Sequence, residues 1–190
     1  MKTINLLVAA LLLFGCASET RVPMQAYDFG VTGASGPPAG QDVYLSEIRA
    51  ADWFNTTDML YRLEYRDPRV LRPYSASRWA GTPAAMLGAT LRQSVADATP
   101  GGRAKCNLSL YISEFSQVFT SDHDSRAVLH LRATLIDTSA IGQTLMRDFR
   151  MERPASPANA AGAAAAFSEI ATSVATAING WITQAGVCQK

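Results

Sequence analysis

The chain of 190 residues contains only two His and three Cys, too few for a Cys/His zinc framework. Charged residues make up 17% of it, where about 25% is usual. Charge of one sign is also missing: 17 Lys and Arg stand against 16 Asp and Glu, a formal net charge of +1. Nucleic acid is normally met by a basic face, so DNA and RNA drop out as partners. No Walker loop, no G-x-G-x-x-G after a strand, no nucleophile elbow and no H-E-x-x-H occurs. What is present is apolar: hydrophobic residues reach 48%, enough for a folded domain, and the length fits one such domain plus a processed segment.

The segment to be processed is at the start. Met1-Lys2-Thr3 carries one positive charge, and Ile4 to Phe14 is apolar apart from Asn5. A run of about 11 residues is too short for the ~20 that cross a bilayer and matches the h-region of a signal peptide. Leu13-Phe14-Gly15-Cys16 then resembles the lipobox of bacterial lipoproteins, with Phe14 bulkier than the small residue usual there. The resemblance implies a signal peptide over 1–15, acylation of Cys16 as the first mature residue and a tether over 16–24. Each buried acyl CH₂ contributes about 0.8 kcal/mol, so several chains hold a protein on a bilayer stably. Ala17, in place of an Asp after the Cys, implies export to the outer membrane, facing the periplasm. An ordinary secretory signal with a chance Cys is the alternative.

Removal of Lys2 with the signal leaves the mature chain neutral, and leaves two cysteines, Cys106 and Cys188. In an oxidising compartment a pair suggests a disulfide; a buried free Cys106 beside a mobile Cys188 is the other reading.

Hydrophobic periodicity divides the mature domain, residues 25–190, into strands, a helix, three strands and a second helix. Short strands are expected at Gln25 to Gly30 and at Asp42 to Arg49, the latter with Val43, Leu45 and Glu47 on one face, flanking a Gly/Pro/Ser loop at 31–41. Met59 to Arg66 alternates, with Met59, Tyr61, Leu63 and Tyr65 on one side. Asp67-Pro68 is its expected turn, and Val70 to Tyr74 the partner, where Pro73 requires an edge or a strand end. Thr82-Pro83 starts a helix carrying Leu87, Leu91 and Val95 that ends before Pro100-Gly101-Gly102. Asn107 to Thr120 alternates with a phase slip near Glu114-Phe115, as at a β-bulge. After a polar turn at 121–125, Ala127 to Ile136 forms the second arm of a hairpin, and Gln143 to Glu152 the third strand. Ser156-Pro157 is the expected start of a long amphipathic helix that runs to Gly186. Its stretch Ala160 to Ala166 permits close packing against a sheet or, alternatively, contact with another helix. The expected fold is α+β: a single, mainly antiparallel sheet with two helices packed on one face.

No catalytic constellation emerges. Asp122-His123-Asp124 lies in the expected hairpin turn, where Asp collects for backbone reasons, and lacks further metal ligands; His130 is expected to face solvent or a partner. No cofactor or metal is implied. The unusual stretch is 52–79, six aromatics interleaved with arginines, a combination enriched at protein interfaces. Tyr61 and Tyr65 suit a core equally well. Trp53, Phe54, Arg62, Arg78 and Trp79 are the expected partner or lipid contacts.

Asn55 to Arg62, Tyr74 to Trp79 running into Pro83-Ala84-Ala85-Met86-Leu87, and Phe115-Ser116-Gln117-Val118-Phe119 through Ser125-Arg126-Ala127-Val128-Leu129 to Arg132-Ala133-Thr134-Leu135 together resemble the ABC-type transport auxiliary lipoproteins, the PqiC-like family. Asn55 departs from an often acidic position. The resemblance implies a non-catalytic outer-membrane lipoprotein working with an ABC permease and an MCE-domain protein in lipid transport, with a homo-oligomer possible in such a system. A carrier module that holds an acyl chain between helix and sheet is the alternative function.

Overall fold

The computed structural model describes residues 23–30, 42–95, 104–138 and 142–188. The signal peptide, Cys16, nearly all of the tether, the 31–41 loop and Pro100-Gly101-Gly102 lie outside them. Seven strands form one sheet: β1 (Gln25–Tyr27), β2 (Val43–Ala50), β3 (Asp58–Leu63), β4 (Asp67–Trp79), β5 (Cys106–Phe119), β6 (Ser125–Asp137) and β7 (Thr144–Pro154). Two helices, α1 (Pro83–Ser94) and α2 (Ala160–Ala185), join a 3-10 turn at Asp52–Phe54. The strand order is β1-β4-β3-β5-β6-β7, with β2 also on β5.

The fold is α+β as expected, but the sheet is mixed. β5–β6, β6–β7 and β3–β4 are antiparallel, whereas β1–β4, β2–β5 and β3–β5 are parallel. The cause lies along β5. β2 pairs with its first half, Val43 opposite Cys106 through Ala50 opposite Ile112, and β3 with its end, Tyr61 to Leu63 opposite Gln117 to Phe119. β2 and β3 thus run the same way along one edge of β5, interrupted by the 3-10 turn. The β5 register shifts between Ile112 and Glu114, where the phase slip was read.

Alternation fixes the two faces of the sheet. Leu108, Leu110, Ile112 and Phe115 of β5 and Ala127, Leu129, Leu131, Ala133 and Leu135 of β6 point into one core. Thr82 caps α1, its hydroxyl accepting from the Ala85 N–H at 3.3 Å, and Pro83 follows at the first turn. Leu87, Leu91 and Val95 are buried. α2 is long and apolar enough to cross a membrane by length and composition, but Phe167, Ile170, Val174, Ile178 and Ile182 are buried in the core. Gly186, at φ 69°, ends it in the left-handed conformation that favours glycine.

Four local expectations are corrected. β3 stops at Leu63, and Glu64 to Arg66 make the turn, so Tyr65 leaves the strand and Asp67-Pro68 begins β4. Glu47 is exposed, because β2 shifts register after Leu45 and Ile48 takes the inward place opposite Leu110. The first strand ends at Tyr27 rather than Gly30. α2 starts at Ala160 instead of Ser156: the Asn159 side chain accepts from the Gly162 N–H at 3.0 Å and supplies the cap. Ala160, Gly162, Ala163, Ala164 and Ala166 are buried, the close-packed reading of that stretch.

Candidate functional site

The stretch 52–79 folds into the 3-10 turn and the β3–β4 hairpin, which forms one side of the sheet. Residues 67–76 of β4 pair with β3 alone among the described residues, because β1 covers only Ser77 to Trp79. Pro73 therefore sits where the strand has an open edge, the place a strand proline tolerates. Arg66, Arg69, Arg72 and Arg78 are exposed along this hairpin. Arg69 donates to both carboxylate oxygens of Asp67, at 3.0 and 3.2 Å, which holds the Asp67 carboxyl below its ordinary value. Arg66 lies 5.5 Å from the Tyr65 ring centroid. The Arg72 and Arg78 guanidinium groups have no hydrogen bond or ion pair among the described residues.

The five expected contact residues separate. Trp53 is 61% exposed on the 3-10 turn, and Arg78 is exposed opposite Asp58, where β3 begins. These two share one end of the hairpin. Phe54 and Trp79 are buried, at 1% and 2% exposure, and their expected surface role is corrected. Trp79 meets Phe115 and Phe167, each with ring centroids 5.5 Å away, and Phe29 at 6.0 Å. Phe54 turns inward because its N–H bonds the Ala51 carbonyl at 2.7 Å, which closes the 3-10 turn over the core. Arg62 is mostly buried and internally satisfied, donating to Glu114 at 3.0 Å and to the Pro68 carbonyl at 3.2 Å. It fastens β4 and β5 to β3.

The far end of the hairpin is latched to its neighbours. The Tyr65 hydroxyl donates to Asp122 of the β5–β6 turn, and that bond raises the phenol above its ordinary pKa. Arg126 donates to both Glu64 oxygens at 3.1 Å, and its Nε lies 3.0 Å from Glu152 in an ion pair whose angle falls short of a hydrogen bond. Inside, the Tyr74 hydroxyl donates to Gln117 at 2.6 Å, the Gln117 amide to Ser125 at 2.7 Å, and the Ser125 hydroxyl to the Ala155 carbonyl at 3.2 Å. Burial first, and Tyr61 second, push the Tyr74 phenol far up. Sequence reasoning did not find this relay, because Gln117 reads as polar and exposed by type; its inward phase after the bulge was the available signal.

Cys106 and Cys188 are joined in a disulfide, with Cα atoms 5.5 Å apart. The same corner is closed by Asp42, whose N–H donates to the Cys188 carbonyl at 2.9 Å and whose carbonyl accepts from the Cys106 N–H at 3.1 Å. Asp122 is engaged by Tyr65 from the neighbouring hairpin, and within the turn Asp124 accepts from the Ser121 hydroxyl at 2.9 Å. Among the described residues no group of three or more His, Cys, Asp or Glu is gathered to hold a metal ion. The layer between α2 and the sheet is filled by Phe115 stacked on Phe167, centroids 4.0 Å apart, and by the helix residues below them.

A model of the ABC-type transport auxiliary lipoprotein component matches residues 30–179. Among solved structures, a Xanthomonas campestris protein of family DUF330 is 22% identical, with a TM-score of 0.67 over 86% of this chain and 95% of its own. A second crystal structure is 14% identical, with a TM-score of 0.64 over 84% of this chain and 99% of that one. At such identities these two show the fold. No curated protein matches the chain.

Proposed function

The chain belongs to the ABC-type transport auxiliary lipoprotein family, and from that premise we propose that it is a non-catalytic docking component at the outer membrane. Its role is accessory to an ABC transport system. In this reading Cys16 carries the acyl anchor, the domain faces the periplasm, and an MCE-domain protein or ABC permease component of a lipid transport system is the partner.

The family match across residues 30–179 carries the proposal. The surface best suited to the partner is the hairpin end that holds Trp53 and Arg78, with Arg72 further along β4. An exposed Trp and exposed arginines whose side chains have no partner among the described residues are the combination that anchors interfaces. Phe54 and Trp79 are buried inside the fold next to this surface in sequence, while Arg62 is satisfied by Glu114 and the Pro68 carbonyl nearer the hairpin turn.

Co-purification from solubilised envelopes tests it. The unmutated protein should bring down a permease or MCE component, and Trp53→Asp combined with Arg78→Glu should reduce recovery about tenfold or more, equivalent to ~1.4 kcal/mol or above. Recovery unchanged in the double variant would place the contact elsewhere. Cys16→Ser should release the protein from the membrane fraction; continued membrane retention would contradict the anchor.

A further inference from the structure

The sheet has a second face, which neither helix covers. Its rows follow from the register: Tyr44, Asn107, Ile136 and Thr144 in one, Glu47, Ser109, Thr134 and Met146 in the next, then Arg49, Tyr111, Arg132 and Asp148, then Glu114, His130 and Arg150. The first rows and Tyr111 carry large apolar groups open to solvent: Tyr44 46%, Tyr111 46%, Ile136 43% and Met146 66% exposed. At the polar end of this strip lies a groove of about 250 Å³, lined by Tyr111, Ser113, His130 and Arg150 together with the Arg132–Asp148 pair.

The charges on this face do not cancel within the groove. Each of its carboxylates is engaged by a guanidinium: Glu47 by Arg49 at 2.6 Å, Glu114 by Arg62 at 3.0 Å, Asp148 by Arg132 at 2.7 Å and Glu152 by Arg126 at 3.0 Å. Glu114, opposite His130, also accepts from the Ser116 hydroxyl at 2.6 Å. Arg150 adds to the field that lowers the Asp148 carboxyl, behind Arg132 and without contacting it. The Arg150 guanidinium and the His130 ring are left without an ion-pair or hydrogen-bond partner among the described residues. A guanidinium, an imidazole and a phenol thus line one groove beside the Ser113 hydroxyl, which donates to the His130 carbonyl at 3.4 Å, with an apolar strip leading away from it.

We propose that this groove binds the phosphate of an anionic amphiphile, whose tail lies along Tyr111, Met146 and Ile136. A guanidinium matches phosphate oxygens in charge and an imidazole N–H can donate to them, and exposed apolar strips mark ligand or membrane contacts. From His130 to Ile136 the strand advances roughly 20 Å at ~3.3 Å per residue, and one leaflet's hydrocarbon is about 15 Å, half of the ~30 Å core. An acyl chain therefore fits the strip. The site stands apart from the docking surface on the β3–β4 hairpin, so either can fail alone.

The two histidines provide the probe, since His123 sits in the β5–β6 turn and serves as an internal control. Mature protein in neutral maltoside micelles is titrated with lysophosphatidylglycerol, lysophosphatidylcholine and inorganic phosphate while both imidazoles are followed by NMR. Lysophosphatidylglycerol should shift His130 saturably and leave His123 in place. Inorganic phosphate should act at the same ring at least ~10-fold more weakly, Arg150→Gln should weaken the lipid about tenfold, and Met146→Ser should weaken the lipid without changing the phosphate response. A stationary His130, an equal response to lysophosphatidylcholine, or phosphate binding as tightly as the lipid would overturn the proposal. The contrast between the two rings in unmutated protein decides it even if a variant misfolds.

Discussion

Trp79 closes the core where β4 ends, in edge contact with Phe115 and Phe167 and only 2% exposed. Trp79→Ala should therefore cost about 3–5 kcal/mol through lost burial and a residual cavity, measured by urea unfolding of the oxidised protein. Trp53→Ala, at an exposed site, should change stability by no more than ~0.5 kcal/mol; similar losses for both would contradict the assignment of one to the core and the other to the surface. Local sequence made the two look alike, since each follows a charged residue, Asp52 or Arg78, and lies close to loop-type residues. What separates them is the inward alternation of β4 and the parallel strand β1 laid beside its last three residues, a pairing between segments some 50 positions apart. Arg62 misled for a related reason: its carboxylate, Glu114, sits on the strand that follows the helix.

Among the elements, β5 is the organiser, because β2, β3 and β6 all pair with it. Its long alternation, its bulge and the β5–β6–β7 meander were legible in the amino-acid pattern, as were both helices, since local periodicity and caps determine them. The mixed sheet was not. Periodicity reports which face a residue takes and says nothing of strand direction, and the parallel pairs here join segments far apart in the chain: β1 and β4 across β2 and β3, β2 and β5 across the β3–β4 hairpin and α1, β3 and β5 across β4 and α1. The start of α2 moved for a local reason, the Asn159 cap. At Gly162 an added Cβ would lie 1.9 Å from the Pro157 carbonyl oxygen, so Gly162→Ala should destabilise by about 1–3 kcal/mol through forced backbone movement. A thermal midpoint unchanged in that variant would contradict the close approach. The Cys106–Cys188 bridge, with a sequence separation of 82, ties the end of α2 to the first residue of β5. Replacing both cysteines by Ser should cost about 4 kcal/mol in the chain-entropy account, read as a lower denaturant midpoint. An unchanged midpoint would show that the Asp42 hydrogen bonds alone hold that corner.

At the level of the whole molecule, the helices cover one face of the sheet and leave three surfaces for use: the solvent side of the helices, the β3–β4 hairpin and the bare sheet face. The proposed partner surface is the hairpin end that carries Trp53 and Arg78, apart from the His130–Arg150 groove. Of the aromatic and arginine residues of 52–79, Trp53, Arg72 and Arg78 reach the surface, whereas Phe54 and Trp79 are buried. Site-specific photo-crosslinking in living cells tests the docking claim most directly, with a photoreactive residue placed at position 53, at 78, or at the exposed helix position 169. The account predicts that 53 and 78 capture an ABC permease or MCE component while 169 does not. Failure of both hairpin positions to capture a transport component, or capture of the same component from 169, would contradict it.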